Sequence, residues 1–205
     1  MCVICIKQAG VLYPTVDTVK TMCKANPDGF SMVVSNRKRK PLIFKTMSFD
    51  KFIALYEQVS RSNDYRTTSL FIHARIKTHG TPRLENCHGW RSDGLVFAHN
   101  GVLSIANRDD MTDSETFFRD IFIPAYKMGG WKMAERTIDA VIGTSKFVFM
   151  DKEGEIRYYG NYIEDGGLLY SNNSYIPWNM RYPKKWQPKQ TWGDFDFDYW
   201  LEERK

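Results

Sequence analysis

Cys2, directly after Met1 and at the head of the apolar run Cys2-Val3-Ile4-Cys5-Ile6, is the residue whose type and position most invite chemistry. Removal of Met1 would leave one residue carrying both a thiol and a free α-amine. Such an amine titrates near ~8, so at neutral pH a usable fraction is unprotonated and can act as a base. A thiol is a weak nucleophile until its proton is taken, and here the base would lie on the same residue. Small second residues such as cysteine favour removal of the initiating methionine. Read by itself, Cys2 also fits a small buried hydrophobe at a strand start, the plainer account of the first six residues.

All four histidines lie between His73 and His99, which raises a metal hypothesis. Cys87 and His88 with His79 and His99 would supply four soft or borderline ligands. Adjacent Cys-His residues rarely chelate one zinc, however, and the cluster contains no Cys-x-x-Cys pair. Cys2 and Cys5 have that spacing, but on a strand they point to opposite faces.

The same stretch reads better as part of a longer series. Cys2 is followed by Asn26-Pro27-Asp28-Gly29, then Arg75-Ile76-Lys77-Thr78-His79-Gly80, then Asn86-Cys87-His88, His99-Asn100-Gly101 and Thr112-Asp113-Ser114-Glu115. Taken in order over roughly residues 2 to 175, these resemble the glutaminase domain of class II glutamine amidotransferases, in the N-terminal-nucleophile hydrolase superfamily. The resemblance implies a four-layer αββα sandwich of two antiparallel sheets flanked by helices. It also implies hydrolysis of the glutamine side-chain amide to glutamate and ammonia through a Cys2 thioester, after Met1 removal.

The residue types suit the roles that the resemblance gives them. Arg75 can hold the glutamine α-carboxylate through two parallel hydrogen bonds, a geometry lysine cannot match; alone it would also suit a structural ion pair. Asp113 is assigned to the α-ammonium, though an aspartate at a helix start is equally a cap. Charge that builds on the attacked carbonyl oxygen needs preplaced donors, and the Asn100 amide with the Gly101 backbone N–H would be such a pair. Asn-Gly is also a favoured hairpin turn. Thr78, His79 and the Gly80 backbone line the glutamine pocket by the same resemblance, and His79 has a structural reading as a loop histidine. The chemistry requires no metal and no organic cofactor.

Two departures touch the pocket. Ile76 stands where many members have tryptophan, and Gly89 where a proline often follows Asn-x-His. Full amidotransferases pass ammonia to a second, acceptor-activating domain, for which these 205 residues leave no room. A separate synthase or acceptor protein is therefore the expected partner. The competing readings are an N-terminal-nucleophile amidase acting on another acyl amide or a peptide, and a non-catalytic binding module on the same fold.

Composition sets the frame for the elements that must position these residues. A chain of 205 residues with 42% hydrophobic content and 15% aromatics fits one globular α+β domain with a tail. No stretch approaches the ~18 apolar residues of a membrane helix, and no signal peptide is read at the start. Four cysteines in this length do not suggest a disulfide framework, so a cytoplasmic location is expected. The net charge of +5 permits an acidic partner without requiring one. The basic run Asn36-Arg37-Lys38-Arg39-Lys40 reads as a solvated hairpin tip rather than a nucleic-acid site.

Periodicity predicts a strand over 2–8, a helix over 15–25 capped by Thr15, strands over 30–34 and 42–45, and a helix over 48–60. Strands follow at 69–75 and 94–98, with a long aperiodic stretch between them, and His99-Asn100-Gly101 is expected to turn into a strand at 102–104. Helices are expected from Thr112 or Asp113, disturbed at Pro124, and again through Met133 to Val141. A hairpin over 146–159 and a last strand pair at 168–170 and 174–176 complete the glutaminase-like domain, 1–176. Residues 177–205, with four of the six tryptophans and the alternation Asp194-Phe195-Asp196-Phe197-Asp198-Tyr199, form a tail expected to wrap the domain or dock on a partner.

Overall fold

A computed structural model describes residues 1–36, 40–76, 83–106, 108 and 111–181. Thr78, His79, Gly80, the arginines of the basic run and the tail beyond 181 lie outside them.

Strand β1 (Val3–Lys7) alternates faces, so Val3 and Cys5 join one hydrophobic layer while Ile4 and Ile6 join another. It sits inside a sheet, among the described residues six-stranded, ordered β3-β2-β4-β1-β10-β9 and antiparallel throughout. The other members are β2 (Phe30–Ser35), β3 (Leu42–Thr46), β4 (Ser69–Ala74), β9 (Ile163–Asp165) and β10 (Leu168–Tyr170). The outer face of this sheet packs on α1 (Val16–Ala25) and α2 (Phe49–Ser62) through Val19, Met22, Phe52 and Tyr56. Thr15 and Ser48 cap these helices through their hydroxyls, as serine and threonine do at N-termini.

A second antiparallel sheet, four-stranded among the described residues, runs β5 (Trp90–Ser92), β6 (Leu95–Asn100), β7 (Lys146–Met150) and β8 (Ile156–Tyr159). Phe97, Phe147 and Phe149 on its outer face meet Phe117, Phe118 and Phe122 from the helical layer. That layer is α3 (Asp113–Thr116), a π-helical segment (Phe117–Phe122) and α4 (Ile123–Val141). Between the two sheets, Ile4, Ile6, Val33 and Phe71 meet Val96, Ala98, Val148 and Met150. The layers are therefore helix, sheet, sheet, helix, the αββα order expected from the sequence.

Three local expectations are corrected. His99 and Asn100 end strand β6, opposite Phe147 and Lys146, and residues 102–104 form no strand. Inter-sheet packing of Ala98 and outer packing of Phe97 extend the alternation through Asn100, overriding the turn propensity of Asn-Gly. Residues 174–176 form no strand either: β10 pairs with β9 across Gly166-Gly167 and with β1, and Asn173–Tyr175 is a single 3₁₀ turn. Pro124 does not break its helix, because the preceding π turn carries Ile123 N–H five residues back to Phe118 O. The interruption falls instead at Gly129 and Gly130, which leave helical geometry.

Candidate active site

Register along the inner face of the larger sheet grades from apolar to polar. One row reads Ile6, Phe71, Val33, Ile43; the next reads Ile4, His73, Ser31, Lys45. One step further lie Cys2, Arg75 and Gly29, just past the strand ends, with Arg75 N donating to Gly29 O (2.8 Å) and Asp28 N to Arg75 O (2.9 Å). The Asp28-Gly29 turn thus fixes the Arg75 backbone. Cys2 and Arg75 share the inter-sheet face because each stands an even number of residues from Ile4 and Phe71.

Cys2 is half-buried, and its thiol donates to Ile76 O at 3.6 Å. Burial pushes the thiol pKa up, while the Ile76 hydrogen bond, the positive N-terminus and the Arg75 guanidinium oppose that rise. Met1 is exposed (71%). Arg75 is buried, and its Nη1 has no hydrogen-bond partner among the described residues. A buried guanidinium nitrogen in that state offers a donor to an incoming acceptor.

Across the inter-sheet layer, Asn100 reaches the same end from β6. Its Nδ2 donates to Ser171 Oγ at 2.8 Å, and its Oδ1 is buried without a partner among the described residues. Ser171 follows β10; its Oγ accepts from Ile4 N (2.8 Å) and its N donates to Ile4 O (2.9 Å). The neighbouring Asn172 Nδ2 donates to Cys2 O at 2.6 Å. Cys2 and Asn100, from different sheets, are in this way tied to consecutive residues of one segment. Sequence reasoning passed over Ser171 and Asn172; the only signal was the polar run Ser171-Asn172-Asn173-Ser174 after a buried strand.

Gly101 has φ +148, and a Cβ there would lie 2.8 Å from Ser145 Cβ and 2.9 Å from His99 Nε2. Only glycine fits that backbone and that approach. Asp113 is the first helical residue of α3, and the cap is Thr112, whose hydroxyl accepts from Glu115 N. The Asp113 carboxylate accepts instead from Leu103 N (2.8 Å) and Ser114 N (2.7 Å), so it pins the segment after β6 to the helix start.

The histidine cluster is a buried stack rather than a converging set of ligands. His73 and His88 rings lie 3.8 Å apart and nearly parallel, and His88 Nδ1 accepts from His99 N at 3.0 Å. His99 Nδ1 meets Ser114 Oγ at 2.7 Å. Burial is the main cause that lowers all three pKa values, His73 to about 3 and His99 to about 4. Cys87 faces Met47 Sδ at 3.7 Å, and among the described residues no group of three or more His, Cys, Asp or Glu could hold a metal. No helix among them is long and apolar enough to cross a membrane.

Neither a protein-family model nor a curated protein matches the sequence. Among solved structures, the chain is similar to the glutamine phosphoribosylpyrophosphate (PRPP) amidotransferase from B. subtilis, complexed with ADP and GMP. The TM-score is 0.53 at 16% identity, over 83% of this chain and 42% of that one. It also aligns with a glutamine aminotransferase class-II domain protein from silicibacter pomeroyi, at TM-score 0.48 and 14% identity, over 83% of this chain and 88% of that one. The chain thus spans less than half the length of the B. subtilis enzyme. At such identity the likeness is one of fold alone, and by fold the chain is a structural match to part of a glutamine amidotransferase, the B. subtilis enzyme.

Proposed function

We propose that this chain hydrolyses the side-chain amide of glutamine, with Cys2 as nucleophile once Met1 is removed. The observation that carries the reading is the buried Arg75 guanidinium, its Nη1 without a partner, next to Cys2 in register. Glutamine presents a carboxylate to such a group and a carboxamide to the thiol beside it. Asn100 and Gly101 serve as oxyanion donors, and Asp113 receives the α-ammonium on Oδ2, which takes only the Leu103 N–H while Oδ1 takes the Ser114 N–H and hydroxyl. Thr78, His79 and Gly80 complete the pocket.

The freed Cys2 amine takes the thiol proton, directly or through a water, and the thiolate attacks the side-chain carbonyl carbon. The C–N bond then breaks as the amine returns the proton to departing ammonia, leaving a γ-glutamyl thioester. Water, deprotonated by the same amine, attacks the thioester; glutamate leaves and the thiol is restored. Residues 1–176 form the catalytic domain. Residues 177–205 are a tail that wraps this domain or docks on a protein that accepts the ammonia.

Intact-mass measurement before and after a glutamine-analogue electrophile, together with ammonia release from glutamine, tests the proposal. Loss of Met1 with one adduct on Cys2 is expected. Retained Met1 with neither adduct nor ammonia would sink it.

A further inference from the structure

The contact between Asn100 and Ser171 fits two hydrogen-bond arrangements, because the oxygen and nitrogen of a side-chain amide are told apart only by their partners. With Nδ2 toward Ser171, the Ser171 Oγ accepts twice, from Ile4 N and from Asn100, each at 2.8 Å. Asn100 Oδ1 is then buried with no donor, and the hydroxyl hydrogen of Ser171 goes unused. With the amide turned over, Ile4 N still donates to Ser171 Oγ, and the Ser171 hydroxyl donates to Asn100 Oδ1. Both N–H groups of Asn100 now face the buried space that Oδ1 had occupied. They are unpaired there until an anionic oxygen arrives.

We propose that Ser171 is a positioning residue that selects this second arrangement, aiming the Asn100 amide as an oxyanion donor. Ser171 suits the task because it is buried (3% exposed) and doubly fixed to Ile4, by its own N–H and through its Oγ. Its neighbour Asn172 holds the Cys2 carbonyl, and the Asn172 Oδ1 is itself anchored by Ser174 N at 2.9 Å. One short segment after β10 thereby sets both the strand that presents the nucleophile and the group that stabilises developing charge. This inference rests on the glutaminase reading above, in which Asn100 serves the oxyanion.

The full chain, with Met1 removal verified by mass, is assayed for glutamine hydrolysis and separately for Cys2 alkylation by iodoacetamide. Alkylation displaces iodide and develops no carbonyl oxyanion, so it reports the nucleophile and the fold without the donor. For Ser171→Ala, kcat is expected to fall roughly 10- to 100-fold, less than the loss on deleting an oxyanion donor outright. KM and the alkylation rate should stay within about two-fold. Ser171→Thr, which keeps the hydroxyl, should restore kcat to within a few-fold of wild type. Should the alanine variant melt below the assay temperature, the threonine variant decides: a loss as deep as that of Asn100→Ala would overturn the proposal. An unchanged kcat in Ser171→Ala would overturn it too, as would an equal fall in hydrolysis and alkylation, which marks a merely structural anchor. A wild-type chain that alkylates at Cys2 but leaves glutamine intact would overturn the glutaminase reading itself.

Discussion

Leaving a guanidinium nitrogen buried without an acceptor costs about 1–3 kcal/mol or more, so the free Nη1 of Arg75 makes the site receptive to a carboxylate. Lysine at this position keeps the charge but loses the planar fork. Arg75→Lys should therefore raise KM for glutamine about 10- to 100-fold, the equivalent of one charge-assisted hydrogen bond. Steady-state kinetics with Cys2 alkylation as the control checks this; an unchanged KM would remove Arg75 from substrate binding. Gly101→Ala confronts both a backbone at φ +148 and the Ser145 and His99 side chains, so it should lose most of its activity and melt several degrees lower. Cys2 and Arg75 were legible singly, at the head of one apolar run and the end of another, but their place on one face follows from the pairing of β1 with β4, which the uniformly buried strands do not encode. The role of Ser171 was not legible: its partners Ile4 and Asn100 are 167 and 71 residues away, and no local pattern encodes such a contact.

At the scale of elements, the sequence showed where helices start and which strands are buried, since caps and periodicity are local. It did not show that β10 lies beside β1, nor that the partner of β10 across the hairpin is Ile163–Asp165. That strand, Ile-Glu-Asp, is short, exposed and mostly acidic, so it carries no hydrophobic alternation to read. Its hairpin depends on Gly166 and Gly167, at φ +59 and +81, where side chains strain the backbone. Changing both to alanine should cost about 1–2 kcal/mol each and lower the melting temperature by roughly 4–16 °C. Because β10 leads directly into Ser171, the same change should slow glutamine hydrolysis more than Cys2 alkylation. Calorimetry and the two rate assays would show this; equal losses in both rates would place the hairpin outside the site's support.

Across the whole molecule, buried imidazoles set how the fold responds to acid: His73 stands on the inter-sheet face with His88 stacked on it, and His99 lies on the helix-facing side of β6 against Phe147 and Ser114. His73, His88 and His99 are all buried, with the Arg75 and Lys45 cations disfavouring further positive charge at His73 and His88, and Asp113 partly favouring it at His99. Unfolded, each histidine binds a proton near pH 6.5; folded, His73 and His99 do so only near about 3 and about 4, and His88 well below its ordinary value. Between those limits the unfolded chain binds more protons, so stability is full above pH 6.5 and falls as pH drops toward the folded values. His73 and His99 together would remove roughly 4 kcal/mol between pH 7 and 5, a large share of total stability for a domain, and His88 acts in the same direction. Carboxylates titrate mainly below this window. Urea midpoints should therefore fall by about a quarter or more from pH 7 to 5. His73→Phe offers the sharpest check: among the described residues neither nitrogen of buried His73 has a partner at hydrogen-bond geometry, and a phenyl ring can keep the stack on His88. That variant should be at least as stable as wild type at pH 7 and should lose roughly 2 kcal/mol of the pH dependence between pH 7 and 5. A slope identical to wild type would mean that His73 does not stay neutral in the folded protein.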